Sequence, residues 1–458
     1  MILTKEKLKS SDIDIDLLIN QKLAGANIKA VLFIVPTNRK SRHLKKQLIS
    51  LAPNSSASKI NIETLSTLSS KLLSLTKPFH QLSEAAAMVF IKQITKQCQF
   101  KYLSKYRDEI PPGTIDRIVN LISEYKRNGI KPESLIKESE KFEPTEMNKA
   151  HDIAQIYNKF LDKCSKLNAF EIGDVYNELN LLDENIFKQN AKTIFPEIEF
   201  IFVDGFSEFT KPEISIISKL ADSAKLFISF DYHSDNYQLF AHIEKCFNLL
   251  TEAGFNTIQD NREEESKFQL LLKENLFQNS AGNQADHSGW ISKIVGRSRE
   301  EEVELIGKKI KQVLNDTKVQ PHEICVSFNL VSEYSTYVKD IFDKLKIPYN
   351  LTDRTPLQNS GPITAIINFL EIAENDYYYK NIFRAINSGF LNLDEVSVSN
   401  LLKVASDLKI VSGKENWKLR IKDELNSLLK QKSEYENAGQ IFILPASAFA
   451  ASASGPVS

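Results

Sequence analysis

The sequence predicts an α/β protein built from two doubly wound parallel-sheet domains in tandem, the first interrupted by an all-helical insertion. Short apolar runs ending in polar turns alternate with helix-period stretches near the start, and do so again after residue 290. Between about residues 83 and 190 the helical period continues with few strand signals. At 458 residues the chain is also too long for one ordinary core. The boundaries fall at 1–82 and 191–289 for the split first domain, 83–190 for the insertion, 290–440 for an incomplete second α/β domain and 441–458 for a low-complexity tail.

The elements follow in order. "AVLFIVPTNRKSRHLKKQLI" predicts a buried strand over Val31–Val35, a turn, and a helix in which Leu44, Leu48 and Leu51 recur at helical spacing. "INIETLSTLSSKLLSL" predicts a short strand feeding a second helix. "DRIVNLISEYKRNGI" is an amphipathic helix closed by Gly129. A strand returns at 199–203. Behind it, Thr210 and Glu213 stand at capping-box spacing, with Pro212 in the first turn of the next helix. "KLFISF" is a further strand, ending at Asp231. After a polar stretch at about 257–289, "WISKIVGRSREEEVELIGKKIKQVL" predicts a strand and a long helix, with a second capping-box pair at Ser298 and Glu301. "EICVSFN", a helix through "YSTYVKDIFDKL" and a short strand "IPYNL" continue the alternation. The tail "ILPASAFAASASGPVS" is Ala/Ser-rich, uncharged and aperiodic, as a disordered end or a shifted reading frame would be.

Bulk properties exclude several classes. Hydrophobic content of 42% and charged content of 26% fit a water-soluble globular chain. A net charge of −1 means that any nucleic-acid contact must come from a local patch. Cys98, Cys164, Cys246 and Cys325 are far apart, and with seven scattered histidines they offer no metal spacing. Free thiols in a reducing cytoplasm are expected. Lys5, Lys7 and Lys9 have no apolar stretch behind them, which argues against a signal peptide, and no apolar run reaches the ~18 residues of a membrane span.

One local patch exists. From residue 17 to 62 there are eight basic residues (Lys22, Lys29, Arg39, Lys40, Arg42, Lys45, Lys46, Lys59) and no acidic one. A strand ending in Thr37-Asn38-Arg39 at a helix start offers hydroxyl, amide and guanidinium donors to a phosphate backbone. A solvated basic helix face explains the same residues. No G-x-x-x-x-G-K-[ST] occurs, and the only early glycine, Gly25, lacks that context, which argues against ATP hydrolysis. No Asp followed by a D/E-x-K strand pair is present to hold the magnesium of a nuclease; Asp108 and Asp423 begin acidic pairs without the lysine. "IFVDGFSEF", Ile201–Phe209, is a buried strand ending on Asp204, as at a nucleotide site or a loop-capping carboxylate, with Gly205 suited to a tight turn.

The order of these stretches resembles superfamily 1 DNA helicases. "VPTNR" stands where those enzymes carry a T-x-T-N-like turn, and "ETLSTL" where they carry a T-F-H-S-like segment. "FEIGDVYNEL" stands for the "DF-x-DLL" segment of their inserted domain, and "IFVDGFSEFTKPEISIISKLA" for the metal-binding strand and following helix. "VGRSREEEVELIGKKI", "ICVSFNLVSEYSTYVKDIFDKLKIPYNL" and "TPLQNSGPITAIINFLEI" resemble the second motor domain. The series spans about 30–395. Within that group it looks most like the B subunit of AddAB (RexAB) helicase-nucleases.

The resemblance implies two RecA-like domains of degenerate P-loop type. Asp204 keeps the magnesium-facing carboxylate, Gly205 replaces the Glu that orients water, and Asn329 stands where motors place an Arg near the γ-phosphate. Asp231 is followed by Tyr232 and His233 without the motor signature. Thr37, Asn38, Arg39, Lys40, Arg42 and Thr64 are the implied DNA contacts. The implied partners are single-stranded or duplex-end DNA and an AddA-like motor helicase subunit, in the cytoplasm and off the membrane. The nuclease domain of PD-(D/E)XK type, with its magnesium and an iron–sulfur cluster, is expected beyond residue 458, because this chain has no intact ATPase or nuclease motif. Three readings stand: a non-hydrolysing DNA-binding scaffold for recombination and DNA repair; a fragment of an active ATP-dependent deoxyribonuclease; or an interaction module docking through Phe100, Tyr102, Tyr106 and Tyr125 of the insertion.

Overall fold

The computed structural model describes residues 1–5, 15–25, 27–57, 59–106, 109–233, 236–258, 267–278, 289–353, 357, 360–391 and 394–437. The tail at 441–458 and much of the polar stretch at 257–289 lie outside the described residues. The chain divides into two compact units, Met1–His287 and Ser288–Ser458.

The first unit opens with β1 (Ile2–Thr4), α1 (Ile15–Ala24), β2 (Val31–Val35), α2 (Asn38–Leu51), β3 (Asn61–Thr64) and α3 (Leu65–Ser74). An excursion follows through β4 (His80–Gln81), α4 (Glu84–Thr95), α5 (Pro112–Arg127), α6 (Pro132–Ser139), α7 (Pro144–Lys166), β5 (Ala169–Phe170), α8 (Ile172–Leu181) and α9 (Glu184–Ile194). The unit ends with β6 (Phe200–Phe206), α10 (Lys211–Ala221), β7 (Lys225–Phe230), α11 (Tyr237–Glu252), β8 (Asn256–Ile258) and α12 (Lys267–Asn275).

Its main sheet has the order β3-β2-β6-β7-β1-β8. β3, β2, β6 and β7 run parallel, whereas β1 pairs antiparallel with both β7 and β8. Both faces are covered, so the central β2 is apolar throughout rather than alternating with polar residues. Leu32, Ile34, Ile201, Val203, Leu226 and Ile228 enter the cluster covered by α3, α8, α9, α10 and α11. The intervening Phe33, Phe202 and Phe227 enter the opposite cluster with α1 and α2. Those three rings are in register across β2, β6 and β7, with centroids 5.8 and 5.5 Å apart. Leu48 of α2 is buried, but Leu51, expected on the same face, ends the helix 57% exposed.

The excursion is closed by the parallel pair β4–β5, His80 opposite Ala169. Its helical core contains Ile91, Ile118, Ile122, Ile156 and Phe160. The Asp152 carboxylate accepts the amides of Lys101, Tyr102 and Leu103, which fastens the connection before α5 onto α7. Phe100, Tyr102, Tyr106 and Tyr125 are partly buried against this core, so they pack the insertion and are not displayed as a surface. α5 ends in a Schellman arrangement: the Gly129 amide donates to Lys126 O and the Ile130 amide to Tyr125 O. α8 and α9 return to the sheet, where Val175, Tyr176, Leu179 and Phe187 join its core.

α5 meets α8 at a buried charge cluster. Lys126, 1% exposed, reaches Asp174 at 2.9 Å and Glu171 at 3.1 Å, with its ammonium 4.3 Å from the centre of the Phe160 ring. Burial alone would depress the ammonium, but the two carboxylates outweigh it and hold Lys126 above its usual value. Burial raises the Asp174 carboxyl, and the neighbouring Lys126 offsets this only in part.

The second unit contains α13 (Arg299–Asp316), α14 (Val331–Leu345), α15 (Gly361–Glu374), α16 (Tyr379–Ile386), α17 (Glu395–Asp407) and α18 (Lys414–Asn437). The strands expected in "WISKIVG", "EICVSFN" and "IPYNL" do not form, and no strand occurs among its described residues. Ile324, Val326 and Phe328 do alternate inward onto the α13–α14 core while Cys325 and Ser327 face out. The segment has the period of a strand but pairs with no neighbouring backbone among the described residues, and alternation specifies a face, not a partner. The second capping box is incomplete: Ser298 accepts the Glu301 amide, but the Glu301 carboxylate takes the amide of Arg297. Among the described residues no helix is long and apolar enough to cross a membrane.

All four cysteines are free. Cys164 is buried and its thiol pushed up to about 12 by desolvation, whereas Cys325 is exposed. Iodoacetamide at neutral pH should therefore label Cys325 quickly and Cys164 only after unfolding, as peptide mass mapping would show. Rapid native labelling of Cys164 would contradict this core.

Candidate nucleic-acid interface at the carboxyl edge of the sheet

The strand order contains a switch point. β3 lies on one side of β2, and the chain then returns to place β6 on the other. α2, following β2, packs on the Phe33 face, whereas α10, following β6, packs on the opposite face. Helices that diverge from neighbouring parallel strands leave a crevice at the carboxyl ends, which is where open α/β sheets take their ligands.

Most of the residues singled out in the sequence converge on this edge. Val35 is in register with Thr64, and Ile34 with Val203, so Pro36–Lys40, Thr64 and Asp204–Gly205 leave three adjacent strands together. Thr37 caps α2, accepting the Lys40 amide at 3.2 Å. Asn38, Arg39 and Arg42 are exposed, with Arg42 Nε donating to Asn38 O at 3.3 Å. Thr64 is only 7% exposed. Its hydroxyl caps α3 by accepting the Thr67 amide and lies 2.9 Å from Ser66 Oγ, so it holds the edge in place.

At the end of β6 the register with β7 shifts between Val203 and Phe206. Gly205 sits in this irregularity with φ +84°, a conformation that glycine adopts without steric cost. The turn directs Asp204 towards α2, where its Oδ2 lies 3.0 Å from Lys40 Nζ. The lysine stem crosses directly over the glycine: a Cβ at 205 would lie 3.4 Å from Lys40 Cε. Asp204 thus pairs with a side chain of α2. This contact joins two residues that the sequence assigns to different sites.

The magnesium–nucleotide group implied by the resemblance does not fit these residues. It would need a glycine-rich loop to wrap phosphates, an open carboxylate for the metal, and a group to orient water. There is no glycine between Gly25 and Gly113, so neither β2 nor β3 is followed by such a loop. Asp204 faces an ammonium, and Gly205 supplies no side chain. Asn329 follows the extended segment of the second unit, exposed at a bend beside the stacked Phe328 and Tyr334 rings. Among the described residues no cluster of three or more His, Cys, Asp or Glu could hold a metal.

The acid-free sequence segment is not acid-free in space. Lys22 pairs with Glu199 and Lys29 with Glu197, both at 2.6 Å and at the opposite end of β6. The surplus lies on α2, where Arg39, Arg42, Lys45 and Lys46 are exposed and form no ion pair with an acid among the described residues. Arg39, Arg42 and Lys46 follow i, i+3, i+7 spacing and share one face. Lys46 is thus part of the basic stripe and Lys45, three residues after Arg42, flanks it, although the family resemblance does not place them among the DNA contacts.

Fold and site together define a doubly covered, mainly parallel-sheet protein with a basic helix and an exposed Lys40–Asp204 ion pair at its switch-point edge. The family model described as "ADDB, N-terminal" matches residues 16–281, more than half of the chain, and the chain belongs to that family. It is 26% identical over 344 residues to the B subunit of the ATP-dependent helicase/deoxyribonuclease of Caldanaerobacter subterraneus subsp. tengcongensis, covering 70% of this chain and 29% of the relative. The protein of that name from Thermoanaerobacter pseudethanolicus is 24% identical over 443 residues, covering 91% and 38% respectively. The Clostridioides difficile counterpart is 25% identical over 352 residues, covering 71% and 29%. The chain therefore spans about a third of the length of these curated relatives.

Proposed function

We propose that this chain is the non-hydrolysing, helicase-like DNA-binding part of the B subunit of a helicase-nuclease, acting in recombination and repair of double-strand ends beside an AddA-like motor protein. The observation that carries the reading is the exposed basic stripe of α2 at the switch-point edge, without acidic partners among the described residues, in a chain of the AddB family. Arg39 and Arg42 supply charge, Thr37 and Asn38 supply short donors at the helix start, and Thr64 holds the neighbouring strand end. Phosphate contacts of this kind give affinity without sequence preference and a steep salt dependence.

Fluorescence anisotropy with labelled oligo-dT tests it. The full chain should bind at low salt. R39A combined with R42A should weaken binding at least tenfold and flatten the log–log salt slope by about 1.4, two contacts at ~0.7 each for a single strand. An unchanged slope in the double variant would remove α2 from the interface.

A second reading concerns the whole protein. The relatives' names include deoxyribonuclease and ATP dependence, and this chain spans about a third of their length. In this reading a PD-(D/E)XK nuclease, with its magnesium and iron–sulfur cluster, lies in the remaining portion, and this part serves an active enzyme. DNA-dependent ATP hydrolysis by the present chain would contradict the first reading.

A further inference from the structure

We propose that Asp204 is an internal competitor for nucleic-acid phosphate at Lys40, so that the crevice keeps one of its cations in reserve. The proposal rests on the DNA-binding reading above and assigns Asp204 a present role in tuning affinity.

Three observations support it. First, among the three described ion pairs made by the basic segment, only Lys40–Asp204 stands at the carboxyl edge; Lys22–Glu199 and Lys29–Glu197 clamp the other end of β6. It therefore sits where a strand tracking the α2 stripe would enter the crevice. Second, the pair is accessible: the lysine side chain is 40% exposed and the aspartate 37%. Ion pairs this wet hold weakly, so a phosphate can displace the carboxylate without opening the core. Third, the backbone makes the contact. The bulge and the positive φ of Gly205 direct Asp204 to α2, and the missing side chain lets the lysine stem cross the turn. The geometry thus gives the aspartate a cation partner, where a motor would have needed it open to a metal.

A phosphate arriving at Lys40 must replace Asp204, and the displaced carboxylate is left facing the strand. The lysine then contributes little net affinity in the native protein. Arg39 and Arg42, which form no such pair among the described residues, contribute fully.

The test is a four-way comparison in the full chain with labelled oligo-dT over a salt series: wild type, D204N, K40A and the double variant. D204N should bind roughly three- to tenfold more tightly at low salt and steepen the slope by about 0.7, the value of one added single-strand phosphate contact. K40A should stay within about twofold of wild type, and the double variant should return to the K40A level. D204N unchanged from wild type overturns the proposal. So does a double variant as tight as D204N, because the gain would then come from general loss of negative charge. If R39A with R42A loses binding while D204N is flat, this proposal fails alone. If wild type and D204N both fail to bind at any salt, the DNA reading fails with it.

Discussion

Replacing Lys126 by Ala should destabilise the chain by about 3–5 kcal/mol, the usual cost of stripping the partner from buried charge. Lys126 is the only cation in contact with Asp174 and Glu171 among the described residues, and it is itself 1% exposed. Its removal leaves two carboxylates facing each other in the interior, together with the void of a long side chain over Phe160. D174N should cost far less. It leaves one lysine with one carboxylate, and the amide oxygen can still accept the Glu171 amide, which the carboxylate now takes at 3.0 Å. Urea unfolding followed by far-UV circular dichroism compares the two, and a K126A cost below that of D174N would refute this charge balance. The pH dependence has a definite sign. A folded ammonium held above 10.5 gives stabilisation that is fully present below pH 10.5 and lost as pH rises through the folded value. Wild type should therefore lose the contribution of the ammonium in strong alkali, and its advantage over K126A should also narrow in acid, where protonation relieves the carboxylates that K126A leaves unpaired.

Gly173→Ala should also be costly, although Ala favours a helix over Gly by about 1 kcal/mol. A Cβ at 173 would lie 2.6 Å from Lys126 Cβ and 2.8 Å from both the carbonyl carbon of Lys126 and the amide of Arg127. Two of those three atoms are backbone, so no rotamer change relieves the overlap, and α8 would have to move off α5. Overpacking of this kind costs about 1–3 kcal/mol, and the upper end is expected because displacement also separates Lys126 from Asp174. The same unfolding measurement decides: a variant at or above wild-type stability would mean that the helices separate freely. Lys126 and Gly173 occupy one contact, so their effects should not add, and the K126A/G173A double variant should cost less than the sum.

Both residues show where sequence reasoning stops. Lys126 belongs to "SEYKRNGI", four residues after Ile122 on the apolar face of α5, where a lysine is out of character; its burial depends on Glu171 and Asp174, more than forty residues downstream. Lys40 and Asp204 each stand out in the sequence, but their contact depends on strand order, which no local window contains. β1 escapes sequence reasoning because three residues cannot display a period, and its strand character comes from burial between β7 and β8. In "EICVSFN" the opposite holds: alternation correctly marks the inward face, but among the described residues no backbone pairs alongside to make a ladder. What is legible rests on short-range physics. Val31–Val35 is apolar throughout because both its faces are covered. Thr210 and Glu213 close their capping box within one turn, and Gly129 ends α5 with bonds to the residues just before it.

The position of β1 also sets an order of assembly. Its Thr4 hydroxyl donates to Leu226 O across 222 residues of chain, and its backbone is held between two strands that are both made later. A chain synthesised from its N-terminus must leave this segment idle while the helices of the excursion, whose contacts are local, are already free to collapse. Until β1 docks, β7 keeps one bare edge of amides and carbonyls beside an apolar face, which is the surface on which growing chains associate with one another. The N-terminal residues therefore act as the closing latch of the sheet.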